Sequence, residues 1–144
     1  GLFVGDASSG VLSQLLKSRK RPMALFILAG FVTPILLLTK RDISLEALYL
    51  YYFLLGVFGG YWILLLTSAT ERFGTNIRAT VTTTIPNFIR GAVVPMNMLF
   101  LSLKQAHGII NAALLVGLGT SVLAALSLLM IKETFHDDLE FVEH

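Results

Sequence analysis

The chain has 144 residues, of which 55% are hydrophobic and 14% are Asp, Glu, Lys or Arg, where a soluble domain carries about 25% charged residues. With a mean hydropathy of +0.76, there are too few charges to coat a water-facing surface, and this excludes an ordinary soluble enzyme. A net charge of +2 with no basic stripe excludes a nucleic-acid partner, and the absence of Cys removes disulfides, thiol nucleophiles and Cys-based metal sites.

Gly1–Leu16 lacks both the basic flank and the small-residue cleavage site of a signal peptide. Its apolar run starts at once and would reach only about 24 Å as a helix. It is expected to be the end of a truncated membrane helix, in a chain that begins inside a longer sequence. Four full spans are predicted after it: Pro22–Thr39, Ile43–Ser68, Ile77–Leu103 and Gly108–Ile131. Even the shortest reaches about 27 Å, close to the hydrocarbon core of a bilayer, and the continuous apolar runs do not alternate as barrel strands would. The expected class is an all-α membrane protein of one domain, 1–144.

The predicted connections are Lys17–Arg21, Lys40–Asp42, Ala69–Asn76 and Lys104–His107. If they alternate sides, one side carries Lys17, Arg19, Lys20, Arg21, Arg72, Arg78 and Lys132, and the other only Lys40, Arg41 and Lys104. The richer side is expected to be cytoplasmic, together with the tail 132–144. In that acidic tail Phe135, Leu139 and Val142 fall at i, i+4, i+7, consistent with a short surface helix or with a solvated end.

In Ile43–Ser68, Gly56 and Gly60 form a small-xxx-small pair that permits close helix contact. Trp62 lies deeper than the interfacial Tyr49, Tyr51 and Tyr52, and is read either as a ligand contact or as packing. Ile77–Leu103 carries one polar stripe that includes Thr80, Thr83, Thr84 and Asn87, with Arg90 at its edge. Arg90 lies about 18 Å beyond Arg78 along the helix. At such depth it needs a partner or a wet cavity, which makes it a candidate for substrate binding or coupling, or else a structural group in an ion pair or hydrogen-bonded to broken-helix carbonyls. Pro86 is expected to unwind the helix locally beside it. Asp6, about 16 Å from Lys17, is a candidate proton carrier, or a carboxyl bonded by Ser8, Ser9 or Ser13. Gly108–Ile131 has no charge and places Ala113, Gly117, Ser121 and Ala125 at i+4 steps, a packing seam. No G-x-S-x-G, H-E-x-x-H or Walker sequence occurs, and the three His are far apart, so no enzyme activity, metal or cofactor is expected.

Three stretches together resemble the C-terminal half of a major facilitator superfamily transporter. Gly10–Val11–Leu12–Ser13–Gln14 leading to Lys17–Ser18–Arg19–Lys20–Arg21 resembles the superfamily's G-x-x-x-D…R-R loop, with Gln14 where Asp is usual. Glu71–Arg72–Phe73–Gly74–Thr75–Asn76–Ile77–Arg78 resembles its E-x-F-P-T-x-x-R stretch, with Gly74 in place of Pro, and Asn87, Arg90, Gly91 and Pro95 resemble N-x-x-R-G-x-x-x-P. Glu133–Thr134 with Leu139–Glu140 resembles the E-T…L-E ending of the sugar-porter branch. The resemblance implies the end of helix eight and helices nine to twelve of a six-helix bundle, with Gly10, Gln14, Arg19, Arg21, Glu71 and Arg78 as gating-loop residues. It implies a secondary active transporter, a proton symporter in its expected mode, in the cell (inner) membrane, with a small-molecule solute and the missing N-terminal bundle as partners. The alternative is a self-standing multi-pass membrane scaffold or assembly subunit.

Overall fold

The computed structural model describes residues 1–40 and 42–135. The expected surface helix of the tail therefore lies, beyond Phe135, outside the described residues, as does Arg41. Five helices follow one another: α1 (Leu2–Leu16), α2 (Lys20–Thr39), α3 (Leu45–Gly59), α4 (Trp62–Thr70) and α5 (Arg78–Met130). There is no strand among the described residues. Three stretches are long and apolar enough to cross a membrane: Lys20–Thr39, Leu45–Thr70 and Arg78–Met130. Within the chain only 22%, 11% and 0% of their most apolar windows are buried. Most of the apolar surface thus faces outward, the reverse of a water-soluble fold.

The helices pack through small residues. α1 buries Gly5, Ser9 and Ser13, a single face at four-residue spacing. A Cβ at Gly60 would stand 2.1 Å from the carbonyl carbon of Gly5, and one at Gly5 would stand 2.1 Å from the carbonyl oxygen of Val57. The Gly56/Gly60 pair expected to allow a close crossing does so against α1. Ser9 then donates its hydroxyl to the Gly60 carbonyl at 2.8 Å. Directly at this contact the predicted span Ile43–Ser68 is interrupted, with Gly60 and Tyr61 separating α3 from α4. On the other side of α3, Phe58 meets Phe26 of α2 edge-on, with ring centroids 6.0 Å apart.

α5 is a hairpin of two helical arms. As one straight rod its 53 residues would span about 80 Å. Yet both of its ends meet the end of α4. Arg78 donates from Nε to the Thr70 carbonyl at 3.1 Å, and Thr134, just past the other end, donates to Glu71 at 2.7 Å. The reversal falls at Gly108, with φ 79° and ψ 169°, a region essentially reserved for glycine. The predicted Lys104–His107 connection is helical instead, because one glycine can turn the chain and four loop residues are not needed. The arm 109–130 runs beside α2 across an apolar groove that Ala24, Ile27, Phe31, Ser121 and Ala125 line; of the expected seam, Ala125 is exposed and Gly117 has nothing within 4 Å of where a Cβ would stand. In the arm 78–107 the expected unwinding at Pro86 is absent. The Asn87 side chain donates to the Thr83 carbonyl at 3.1 Å, one residue on from the Thr82 carbonyl that Pro86 leaves without its backbone donor.

Candidate functional site

The densest polar cluster among the described residues joins three distant segments at one end of the bundle. It begins with the turn between α1 and α2. Lys17 takes a left-handed conformation (φ 46°, ψ 44°), and the amides of Lys17 and Ser18 return to the carbonyls of Gln14 and Ser13, a pairing that stops the helix sharply. Ser13 donates to the Ser18 carbonyl at 3.0 Å and accepts from Arg19 Nη1 at 3.0 Å. The turn is thereby fixed, and Arg19 is aimed inward.

Arg19 meets Glu71, the residue that follows α4. Its Nη2 lies 2.7 Å from Oε1 and its Nε 3.4 Å from Oε2, a two-pronged pairing that sets direction as well as charge. The Arg19 and Glu71 side chains are only 14% and 7% exposed. Thr134 donates to the same carboxylate at 2.7 Å and lies 3.3 Å from the Ser68 hydroxyl. The guanidinium of Arg19 also lies 5.2 Å from the centre of the Phe135 ring, a cation–π distance.

Glu133 completes the cluster. Its carboxylate accepts from the Arg19 amide at 2.8 Å, the Lys20 amide at 3.4 Å and the Ser18 hydroxyl, and from the amides of Thr134 and Phe135 at 3.1 and 3.2 Å. α2 has no side-chain cap from its own N-cap residue, Arg19. A carboxylate more than a hundred residues away caps it and complements the positive end of its dipole. Burial works against the charge, but the Ser18 hydroxyl and the amides of Arg19, Lys20 and Phe135 outweigh it and hold the Glu133 carboxyl down to about 2.

The gating-loop residues expected from the sequence thus separate. Arg19 and Glu71 are paired, and Arg78 fixes the α4–α5 turn through the carbonyls of Thr70 and Phe73. Gln14 is exposed and contributes only its carbonyl. Arg21 is exposed and adds an amide bond to Ser18 Oγ at 3.2 Å, and Gly10 has open space where a Cβ would be. Ser13, Ser18, Ser68, Glu133 and Thr134 complete the cluster without having been marked as site residues. The tandem Glu133–Thr134 beside a charge-poor helix was the available signal.

The substrate candidates lie elsewhere. Thr83, Thr84, Asn87 and Arg90 lie on the exposed surface of α5, with Arg90 Nη1 3.5 Å from Asn87 Oδ1. Trp62 is half-buried at the start of α4. The Asp6 Oδ1 atom is buried with no hydrogen-bond partner. Ser8, Ser9 and Ser13 spend their hydroxyls on carbonyl groups rather than on this carboxyl, because Ser8 and Ser9 lie a turn from a helix carbonyl, Ser9 also against Gly60, and Ser13 against the α1–α2 turn. Comparison with protein-family models, curated proteins and solved structures gives no match.

Proposed function

We propose that this chain is the C-terminal helical bundle of a secondary active transporter of the major facilitator type. It moves a small solute across the cell (inner) membrane by alternating access, coupled to protons, with its C-terminus on the cytoplasmic side. The observation that carries this reading is the ion pair of Arg19 and Glu71 with Thr134 on the same carboxylate. The three segments whose residues resemble the superfamily's loop, helix-eleven entry and C-terminal ending meet in one cluster. Such a cluster is a latch: it holds three helix ends together in one state and releases them when paired groups are pulled apart, as a rocking-bundle mechanism requires. The outward-facing apolar surface of α2, α3 and α5 supports a lipid setting.

The test uses the full protein in proteoliposomes containing a pH-sensitive dye. A panel of sugars, carboxylates and phosphate esters is added under an imposed proton gradient. At least one solute is expected to drive proton movement, and Glu71→Gln should alter its rate. Cysteines introduced at Lys17, Thr75 and Gln105 should be labelled from one side for the first two and from the other for the third. Labelling of all three from one side, or no coupled flux with any solute, overturns the proposal.

A further inference from the structure

α5 carries a charge that nothing in the described chain neutralises. Every other described Lys or Arg lies within about one turn of a helix end. Arg90 stands twelve residues in from Arg78 and seventeen before His107, near the middle of an apolar arm. Among the described residues its one hydrogen-bond partner is Asn87, at 3.5 Å. The described acids are committed elsewhere or distant in the fold. Glu71 pairs with Arg19, Glu133 caps α2, and Asp42 and Glu46 sit at the α2–α3 turn. No ion pair joins Asp6 to Arg90.

The surroundings of the guanidinium are ordered. Asn87 donates its amide to the Thr83 carbonyl at 3.1 Å, which turns its own Oδ1 toward Arg90. Residues 83, 87 and 90 follow one another at i, i+4 and i+7 and so share one helix face. Thr84 beside them is exposed, and no hydrogen bond joins its hydroxyl to another described residue. Over about two turns, or about 10 Å, an apolar helix thus offers a tethered cation with unpaired N–H groups and a free hydroxyl. This is the dimension of a small solute, and wider than one ion pair would need.

We infer that Arg90, held by Asn87, binds the carboxylate or phosphate group of an anionic solute, with Thr84 meeting its polar remainder. The inference rests on the transport reading and narrows its substrate class. Arg90 supplies the charge and two N–H groups in one plane, the geometry that matches an oxyanion. Asn87 is a positioning residue: it occupies one N–H of the guanidinium and restricts its rotation, so less freedom is lost when the anion arrives.

The experiment reads the electrostatics of the stripe directly. In the full protein, with Thr83→Cys as its only cysteine, reaction rates are measured with an anionic and a cationic methanethiosulfonate of similar size. The anionic reagent should react faster, and its rate advantage should fall about tenfold in Arg90→Gln while surviving in Arg90→Lys. Succinate and inorganic phosphate are the probe anions, with glucose as the neutral control. Slowing by succinate identifies a carboxylate site, slowing by phosphate a phosphate site, and slowing by neither or by glucose alone overturns the anionic class. If neither reagent reaches position 83 while both react at Thr75→Cys, the stripe is dry and the inference fails. It fails too if Arg90→Gln leaves the ratio unchanged, which would mean that a carboxylate from another segment already neutralises Arg90. These readouts do not depend on flux. A protein with an anion-selective stripe and no coupled transport refutes the transporter reading alone, and one that transports only neutral solutes with no charge preference at position 83 refutes the anion site alone.

Discussion

Arg19 and Glu71, 52 residues apart, form an ion pair at 2.7 Å whose carboxylate is shared with Thr134. One bond thereby fixes the α1–α2 turn against the end of α4 and the segment that follows α5. Because both side chains are largely shielded from water, removing one partner leaves a desolvated charge, a heavier cost than loss of a surface pair.

Glu71→Ala should therefore destabilise the bundle by about 3 kcal/mol, the lower end for a broken buried pair. Thermal unfolding in detergent measures it. Arg19→Gln should be less costly in the Glu71→Ala background than alone, with a coupling above about 1 kcal/mol in the double-mutant cycle. Additive losses would mean that the pair contributes no net interaction.

Glu133 gives the cluster an acid-sensitive component. Its carboxyl is lowered from an ordinary 4.5 to about 2 in the folded chain, so the contribution is fully present above about pH 4.5 and is lost as pH falls toward 2. Hydrogen exchange at the Arg19 and Lys20 amides, which bond this carboxylate, should accelerate through that window beyond the intrinsic rate. Glu133→Gln should lower their protection at neutral pH and remove the extra acid loss. Equal protection in both proteins would show that water caps α2 as well as Glu133 does.

Gly60 at the α1–α3 crossing and Gly91 on α5 should respond oppositely to alanine. Gly60→Ala places a methyl 2.1 Å from a backbone carbon of Gly5, where no side chain can yield. The expected loss is about 3 kcal/mol, the upper part of the usual overpacking range. Gly91→Ala meets nothing within 4 Å and should stabilise its helix by up to about 1 kcal/mol. Parallel melting curves of the two variants provide the comparison.

Gly108→Ala should cost about 1–3 kcal/mol because its backbone lies where a Cβ is strained. Spin labels at Thr80 and Leu129 should be close together in the parent hairpin. A broadened distance distribution in the variant is the expected signature of a loosened reversal. An unchanged distance and stability would show that the turn does not need glycine.

Composition and apolar run length were enough to predict an all-helical chain with segments of membrane-crossing length, since hydropathy and helical rise act locally. The small-residue pair Gly56/Gly60 was also legible, because a missing side chain is visible in sequence and its consequence is close approach. Tertiary contact decided the rest. The break between α3 and α4 falls where α1 crosses, and nothing in residues 59–62 alone states where that crossing comes. Whether Lys104–His107 would be loop or helix depended on the reversal that Gly108 makes, with both ends of α5 held at Thr70 and Glu71. The cap of α2 could not be read near α2 at all. It arrives from Glu133 across more than a hundred residues, because an orphaned helix terminus accepts whichever carboxylate the fold delivers.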